Sequence, residues 1–141
     1  MESMADDERR AFLSSGTRTG KVAWISASGR PHVAPIWFML DGDDVVFTTH
    51  GESAKGKAFV RDRRISMVVD EETPPFAFVK LDGLVSIDEN PADLLTWATR
   101  IGGRYMGPDR ADEYGRRNGT PDEYLVRLHP DRLQAYRGIA D

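Results

Sequence analysis

The chain contains no cysteine, which excludes disulfides, thiolate metal sites and cysteine nucleophiles together and suits a reducing compartment. It has no apolar run near the roughly 20 residues that a membrane-spanning helix needs. Met1–Arg10 is acidic and polar, unlike a secretory leader. Positive charge is in short supply: 19 Lys and Arg stand against 23 Asp and Glu, a net charge of −4. That balance argues against a general nucleic-acid binder. Catalytic signatures are also missing. There is no P-loop, no Rossmann glycine pattern and no G-x-S-x-G elbow. The 3 histidines are not spaced as a helical metal pair. The adjacent carboxylates Asp6-Asp7, Asp43-Asp44 and Glu71-Glu72 lie in polar termini or turns. The expectation is one cytoplasmic domain over residues 1–141, acting on a small molecule, with no nucleic-acid or membrane partner.

What is present reads mainly as β-strand. A helix is expected over Glu2–Ser15, closed by Gly16. Strands follow at Lys21–Ala27 and His32–Leu40, joined as a hairpin by Ser28-Gly29-Arg30. Pro35 cannot donate to a ladder, so one side of the second strand should be unpaired near its middle. After the turn Asp41-Gly42-Asp43 come a strand at Val45–Thr49, a short helix at Ser53–Arg61 and a strand at Arg64–Val69. A loop at Glu71–Pro75 precedes Phe76–Ile87, a strand broken near Asp82-Gly83. The clearest helix is Pro91–Ile101, with Asn90 as N-cap and Leu94, Leu95, Trp97, Ala98 and Ile101 on its apolar face. Gly102-Gly103 should end it. A small charged helix or loop at Ala111–Asn118 leads to a last strand, Tyr124–Leu128, continued past Pro130 by Arg132–Tyr136. Strands meandering with few helical interruptions favour an antiparallel barrel over a parallel doubly wound sheet.

Thr48-Thr49-His50-Gly51-Glu52-Ser53-Ala54-Lys55-Gly56-Lys57 carries the most chemistry. It passes from a strand end through a glycine turn into a helix start. Unpaired amides and the positive dipole end at such a place suit a phosphate, and Lys55 and Lys57 add charge. The same residues also describe a solvated helix start capped by Ser53 with surface lysines. Trp37 is the tryptophan placed to meet a planar ring, while Trp24 and Trp97 read as core. His32 has two readings, a ligand contact made from its strand and, the commoner case, a hydrogen-bonded structural histidine.

Thr48-Thr49 followed by Glu52-Ser53-Ala54-Lys55-Gly56 resembles the phosphate-binding segment of the pyridoxamine-phosphate-oxidase-like superfamily, written T-N-x-x-S-R-K. Gly29–Phe38 resembles that superfamily's second strand, Arg61–Asp70 its D-P-R-v-s strand, and Phe78–Ile87 the strand carrying a G-x-a glycine, here Gly83. The resemblance spans about Thr17 to Tyr136 and implies a mainly β (α+β) fold: an antiparallel split β-barrel with a few peripheral helices, homodimeric, binding FMN or coenzyme F(420) between subunits. Carried over residue by residue, His32, Ala34, Pro35, Ile36 and Trp37 would line the ring, and Thr48, Thr49, Ser53, Ala54, Lys55 and Lys57 would hold the phosphate end. No residue is assigned as catalytic. Ala54 departs from the arginine of the motif, and Lys57 restores charge but not a bidentate fork. The R-x-H substrate motif of true pyridoxamine-phosphate oxidases has no counterpart after Tyr136-Arg137-Gly138. Arg104-Tyr105-Met106-Gly107-Pro108 and Tyr114-Gly115-Arg116-Arg117 resemble the deazaflavin-dependent reductase branch, whose polyanionic coenzyme would make use of Arg61, Arg63, Arg64, Arg116 and Arg117. The resemblance therefore implies hydride transfer between reduced F(420) and a small electron-poor acceptor. The alternatives are an FMN oxidase or reductase of the same fold, or a coenzyme-binding protein without turnover.

Overall fold

The computed structural model describes all residues, 1–141. Its elements are β1 (Glu2–Ser3), α1 (Asp6–Ser14), β2 (Gly20–Ile25), β3 (Pro31–Ile36), β4 (Met39–Asp41), β5 (Asp44–His50), α2 (Ala54–Arg61), β6 (Arg64–Glu71), β7 (Ala77–Asp88), α3 (Pro91–Met106), a 3₁₀ turn at Pro108–Arg110, α4 (Ala111–Asn118) and β8 (Glu123–Arg137). The strands form one 8-stranded sheet in the order β3-β2-β6-β7-β8-β5-β4, with β1 paired to β8. Every pairing is antiparallel. The fold is thus a mainly β, α+β arrangement, as the sequence implies.

Period-two burial along β2, β6 and β7 turns one set of side chains into a shared core, which Val45 and Phe47 of β5 join, while Val46 between them is buried on the other face. Phe38, Phe47 and Phe59 are fully buried there. Phe47 and Phe59 meet edge to face with ring centroids 6.0 Å apart. Each such side chain contributes on the order of 1.5–3 kcal/mol by leaving water. Trp24 belongs to the same core. Trp97 packs on the smaller cluster of Val46, Leu94 and Leu125, so the core reading of both tryptophans agrees with the structure.

Several boundaries differ from the sequence expectation. Glu2–Ser3 pair with Tyr136 and Arg137 rather than joining the first helix, which begins at Asp6. The strand expected over His32–Leu40 is two strands, β3 and β4, interrupted at Trp37-Phe38. The strand containing Asp82-Gly83 is continuous, and the glycine marks a register shift against β8 instead of a break. A Cβ on Gly83 would strike the His129 carbonyl oxygen, so the bulge needs the missing side chain. β8 likewise runs unbroken through Pro130.

Helix α3 continues through Gly102-Gly103 to Met106. These glycines do not stop the helix; they make room for its neighbour. A Cβ on Gly102 would lie 2.5 Å from the Tyr114 Cβ, and one on Gly115 would collide with Thr99. The two helices therefore pack backbone close to backbone. This holds α4 beside the interrupted strand pair.

Candidate functional site

The interruption between β3 and β4 leaves backbone groups without ladder partners, and α3 supplies them. The Phe38 amide donates to the Tyr105 hydroxyl at 3.2 Å, and that hydroxyl donates to the Arg18 carbonyl at 2.8 Å. Arg104 donates to the carbonyls of Phe38 at 2.6 Å, Leu13 at 2.8 Å and Gly16 at 3.0 Å. Burial lowers the Arg104 guanidinium from its ordinary value and raises the Tyr105 phenol. Trp37 stacks on Tyr105 with centroids 5.2 Å apart and planes 3° from parallel. Tyr114 of α4 leans on it at 5.8 Å and 54°. One face of Trp37 is thus already covered from within, and a ligand would meet only the rest of its surface. Arg104, Tyr105 and Tyr114, which resemble a reductase-branch signature, act here as supports for the strand break.

A cleft of about 490 Å³ opens at this break. It is lined by Pro35, Ile36 and Trp37 on one side and by Thr48, Thr49, His50 and Lys55 on another. Ala98 and Ile101 of α3, Arg117 and Asn118 of α4, and Glu123 at the start of β8 complete it. Pro35 lies on β3, whose only neighbour is β2. The open side inferred from that proline is there, and it leads into the cleft.

The turn into α2 is built as the sequence indicates. Ser53 caps the helix, accepting from the Gly56 amide at 3.1 Å and donating to the His50 carbonyl at 2.7 Å. The first-turn amides of α2 precede that cap bond and have no intrahelical acceptor to use. Gly56 is obligatory in packing terms: a Cβ there would strike the His50 carbonyl oxygen. His50 accepts from the Glu52 amide through Nδ1 at 3.1 Å.

The structure brings Pro35, Ile36, Trp37, Thr48, Thr49 and Lys55 to one cleft. It does not bring the others. His32 is exposed and stacks on Trp24 at 5.5 Å, outside the lining. Ala34 packs against the core. Ser53 is occupied in capping, and Ala54 is exposed beside it. Lys57 is solvent-exposed and lies 3.7 Å from Glu52, so it adds no charge to the lining. Of the five arginines named for a polyanionic tail, Arg117 alone lines the cleft. Arg61 donates to the Ile25 carbonyl and Arg64 pairs with Asp62.

Asn118, Ala98, Ile101 and Glu123 enter the lining without having been assigned to it from the sequence, and His50 joins them from the turn where a ligand contact and plain turn chemistry are the two readings. Ala98 and Ile101 belong to the apolar face read on the helix, but which neighbour that face meets is a tertiary fact. Glu123 carries no local signal at all. Burial pushes its carboxyl above the ordinary range, against the opposing charges of His50 and Lys55. Chemically, the cleft joins an apolar wall to hydroxyls, a lysine and an open helix start, which fits a planar group bearing a phosphate.

The fold is shared with several solved structures. A conserved hypothetical protein, Rv2991, from Mycobacterium tuberculosis superposes with a TM-score of 0.84 and 24% identity, over 96% of this chain and 86% of that one. An F(420) reductase superposes with a TM-score of 0.70 and 23% identity, over 87% and 94%. The heme storage protein HutZ from Vibrio cholerae gives 0.74 and 19%, over 96% and 98%. Identities this low establish the split-barrel fold and nothing finer. No curated protein sequence matches the chain. A family model described as pyridoxamine 5′-phosphate oxidase matches residues 5–137.

Proposed function

The chain belongs to the pyridoxamine 5′-phosphate oxidase family, and from that premise we propose that its cleft holds coenzyme F(420) and that the protein passes a hydride between the reduced coenzyme and a small electron-poor acceptor. The observation that carries this reading is Lys55. Lys55 forms no ion pair, its ammonium stands 5.8 Å from the Trp24 ring centroid, and the residue lines the cleft at the start of α2 with Thr48, Thr49 and the Pro35–Trp37 wall. In this reading Lys55 and the first-turn amides of α2 bind the phosphate. Ile36, Trp37, Ala98 and Ile101 exclude water from the ring. The coenzyme, when bound, supplies the hydride, and the protein supplies position and electrostatics. No side chain is assigned as acid or base.

A homodimer in the cytoplasm is part of the proposal. Val33, 67% exposed, and Ile25, 49% exposed, form an apolar surface on the hairpin whose free edge borders the cleft. A second copy seated there would deepen the groove.

The test is a binding titration with F(420) and FMN side by side, followed by turnover on a panel of enones and quinones. Tight F(420) binding with acceptor reduction is the expected result. Preferential FMN binding, with protein purified yellow, would move the assignment to an FMN oxidase or reductase. Tight binding with no acceptor reduced would make it a coenzyme-binding protein without turnover.

A further inference from the structure

The cleft contains one negative charge, and the proposed function leaves it unexplained. Glu123 lines it with Lys55, His50 and Arg117. Its carboxylate is half-buried, and none of the protein's salt bridges or side-chain hydrogen bonds within reach includes it. The groups around it come from every neighbouring element. His50 faces it across the β5–β8 ladder as its register partner, Lys55 lies at the start of α2, Arg117 on α4, and Asp122 is adjacent in the chain. His50 spends Nδ1 on the Glu52 amide, and Lys55 sits 5.8 Å from the Trp24 ring centroid instead of closing on Glu123. An unpaired carboxylate is costly in a partly buried place, and the electrostatic effect on an incoming anion is large where water is excluded.

We infer that Glu123 is a specificity-determining residue, which makes the cleft favour a singly charged phosphodiester over a doubly charged phosphomonoester. This rests on the reading that Lys55 receives the coenzyme phosphate. The phosphate of F(420) is a diester and carries one negative charge. The phosphate of FMN is a monoester, mostly dianionic above its second pKa of about 6. Lys55 balances one negative charge at the start of α2; Arg117, the other cation of the lining, is exposed on α4, with its guanidinium 5.4 Å from the Tyr114 ring centroid and bonded to Asn118. A second falls next to the Glu123 carboxylate, where like charges disfavour each other. The lysine therefore admits a phosphate, and the glutamate sets how much charge that phosphate brings.

The experiment measures dissociation constants of FMN and F(420) at about pH 7.5, where the monoester is largely dianionic, for the parent, Glu123→Gln and Lys55→Ala. Glu123→Gln keeps the side chain's size, and thermal melting verifies its fold; Glu123→Ala is the second variant, with the same expected direction. The expected result is FMN binding tightened about tenfold and F(420) binding changed less than about threefold. Equal tightening of both coenzymes, weakening of both, or no change in either would overturn the inference while leaving the coenzyme reading intact. If neither coenzyme binds the parent in a manner that Lys55→Ala weakens, the coenzyme reading falls and the inference with it.

Discussion

Two parts of the sheet are held together differently. In the β6–β7–β8 centre the strands satisfy one another. β7 pairs along its whole length, from Ala77 to Asp88, with a single shift at Asp82/Gly83. At the β3–β4 break the backbone of Phe38 is satisfied by side chains, Tyr105 on its amide and Arg104 on its carbonyl. The first region needs only the right residues in register. The second needs a helix delivered to the right place, and the cleft opens where the ladder stops. A site thus sits where the fold depends on distant side chains, and the dependence is what fixes Trp37 and Pro35 at its wall.

That contrast can be broken by mutation. The largest effect is expected from Arg104→Ala. It removes a half-buried cation bonded to the carbonyls of Leu13, Gly16 and Phe38, and should cost about 3 kcal/mol in urea unfolding. It should also weaken coenzyme binding, because the cleft wall loses its support. Gly83→Ala should cost about 2 kcal/mol by forcing a Cβ against the β8 backbone, yet leave coenzyme affinity of the folded fraction unchanged. If Gly83→Ala altered binding and Arg104→Ala did not, the division of labour would be wrong.

Smaller changes sharpen the comparison. Tyr105→Phe keeps the stack on Trp37 but leaves the Phe38 amide without its acceptor. A loss of about 1–2 kcal/mol is expected, measured by thermal or urea denaturation. Lys55→Ala should leave stability within about 0.5 kcal/mol while weakening coenzyme binding about tenfold, or about 1.4 kcal/mol. Titration calorimetry separates the two.

The smallest effect lies at an exposed pair near the start of β6. The Asp62 carboxyl is held down to about 2, first by the hydrogen bond from the Arg64 side chain and then by the Arg64 amide. A depressed acid stabilises the fold above its unfolded pKa and loses that contribution as pH falls. The window here runs from about pH 4 down to about pH 2. An NMR titration should show the Asp62 value rise towards the ordinary carboxylate range in Arg64→Ala.

The same contrast explains what could be read in advance. Elements governed by local rules were legible. The Ser53 cap, the Asn90 cap with Pro91 behind it, the Ser28–Arg30 hairpin and the open side at Pro35 all follow from residue chemistry over a few positions. So did the gathering of Thr48, Thr49 and Lys55, which one strand-turn-helix passage places together. What escaped depends on partners far along the chain. Gly102-Gly103 carries the local signal of a helix end, but packing against Tyr114 and Ala111 makes it a close-approach surface. Trp37-Phe38 reads as continuing strand until Arg104 and Tyr105 arrive from 66 and 67 residues away. Motif position alone points His32 and Lys57 to the site, whereas His32 stacks on Trp24 and Lys57 lies beside Glu52. Glu123 had no neighbour in sequence to betray it.

The central claim is that the cleft at the strand break receives a coenzyme phosphate through Lys55. The most direct measurement is a crystal structure of the protein soaked or grown with F(420). The account predicts a phosphate oxygen about 2.7–3.2 Å from Lys55 Nζ, with the ring against Pro35–Trp37. A coenzyme found well ordered elsewhere on the molecule, with no contact to Lys55, would contradict it.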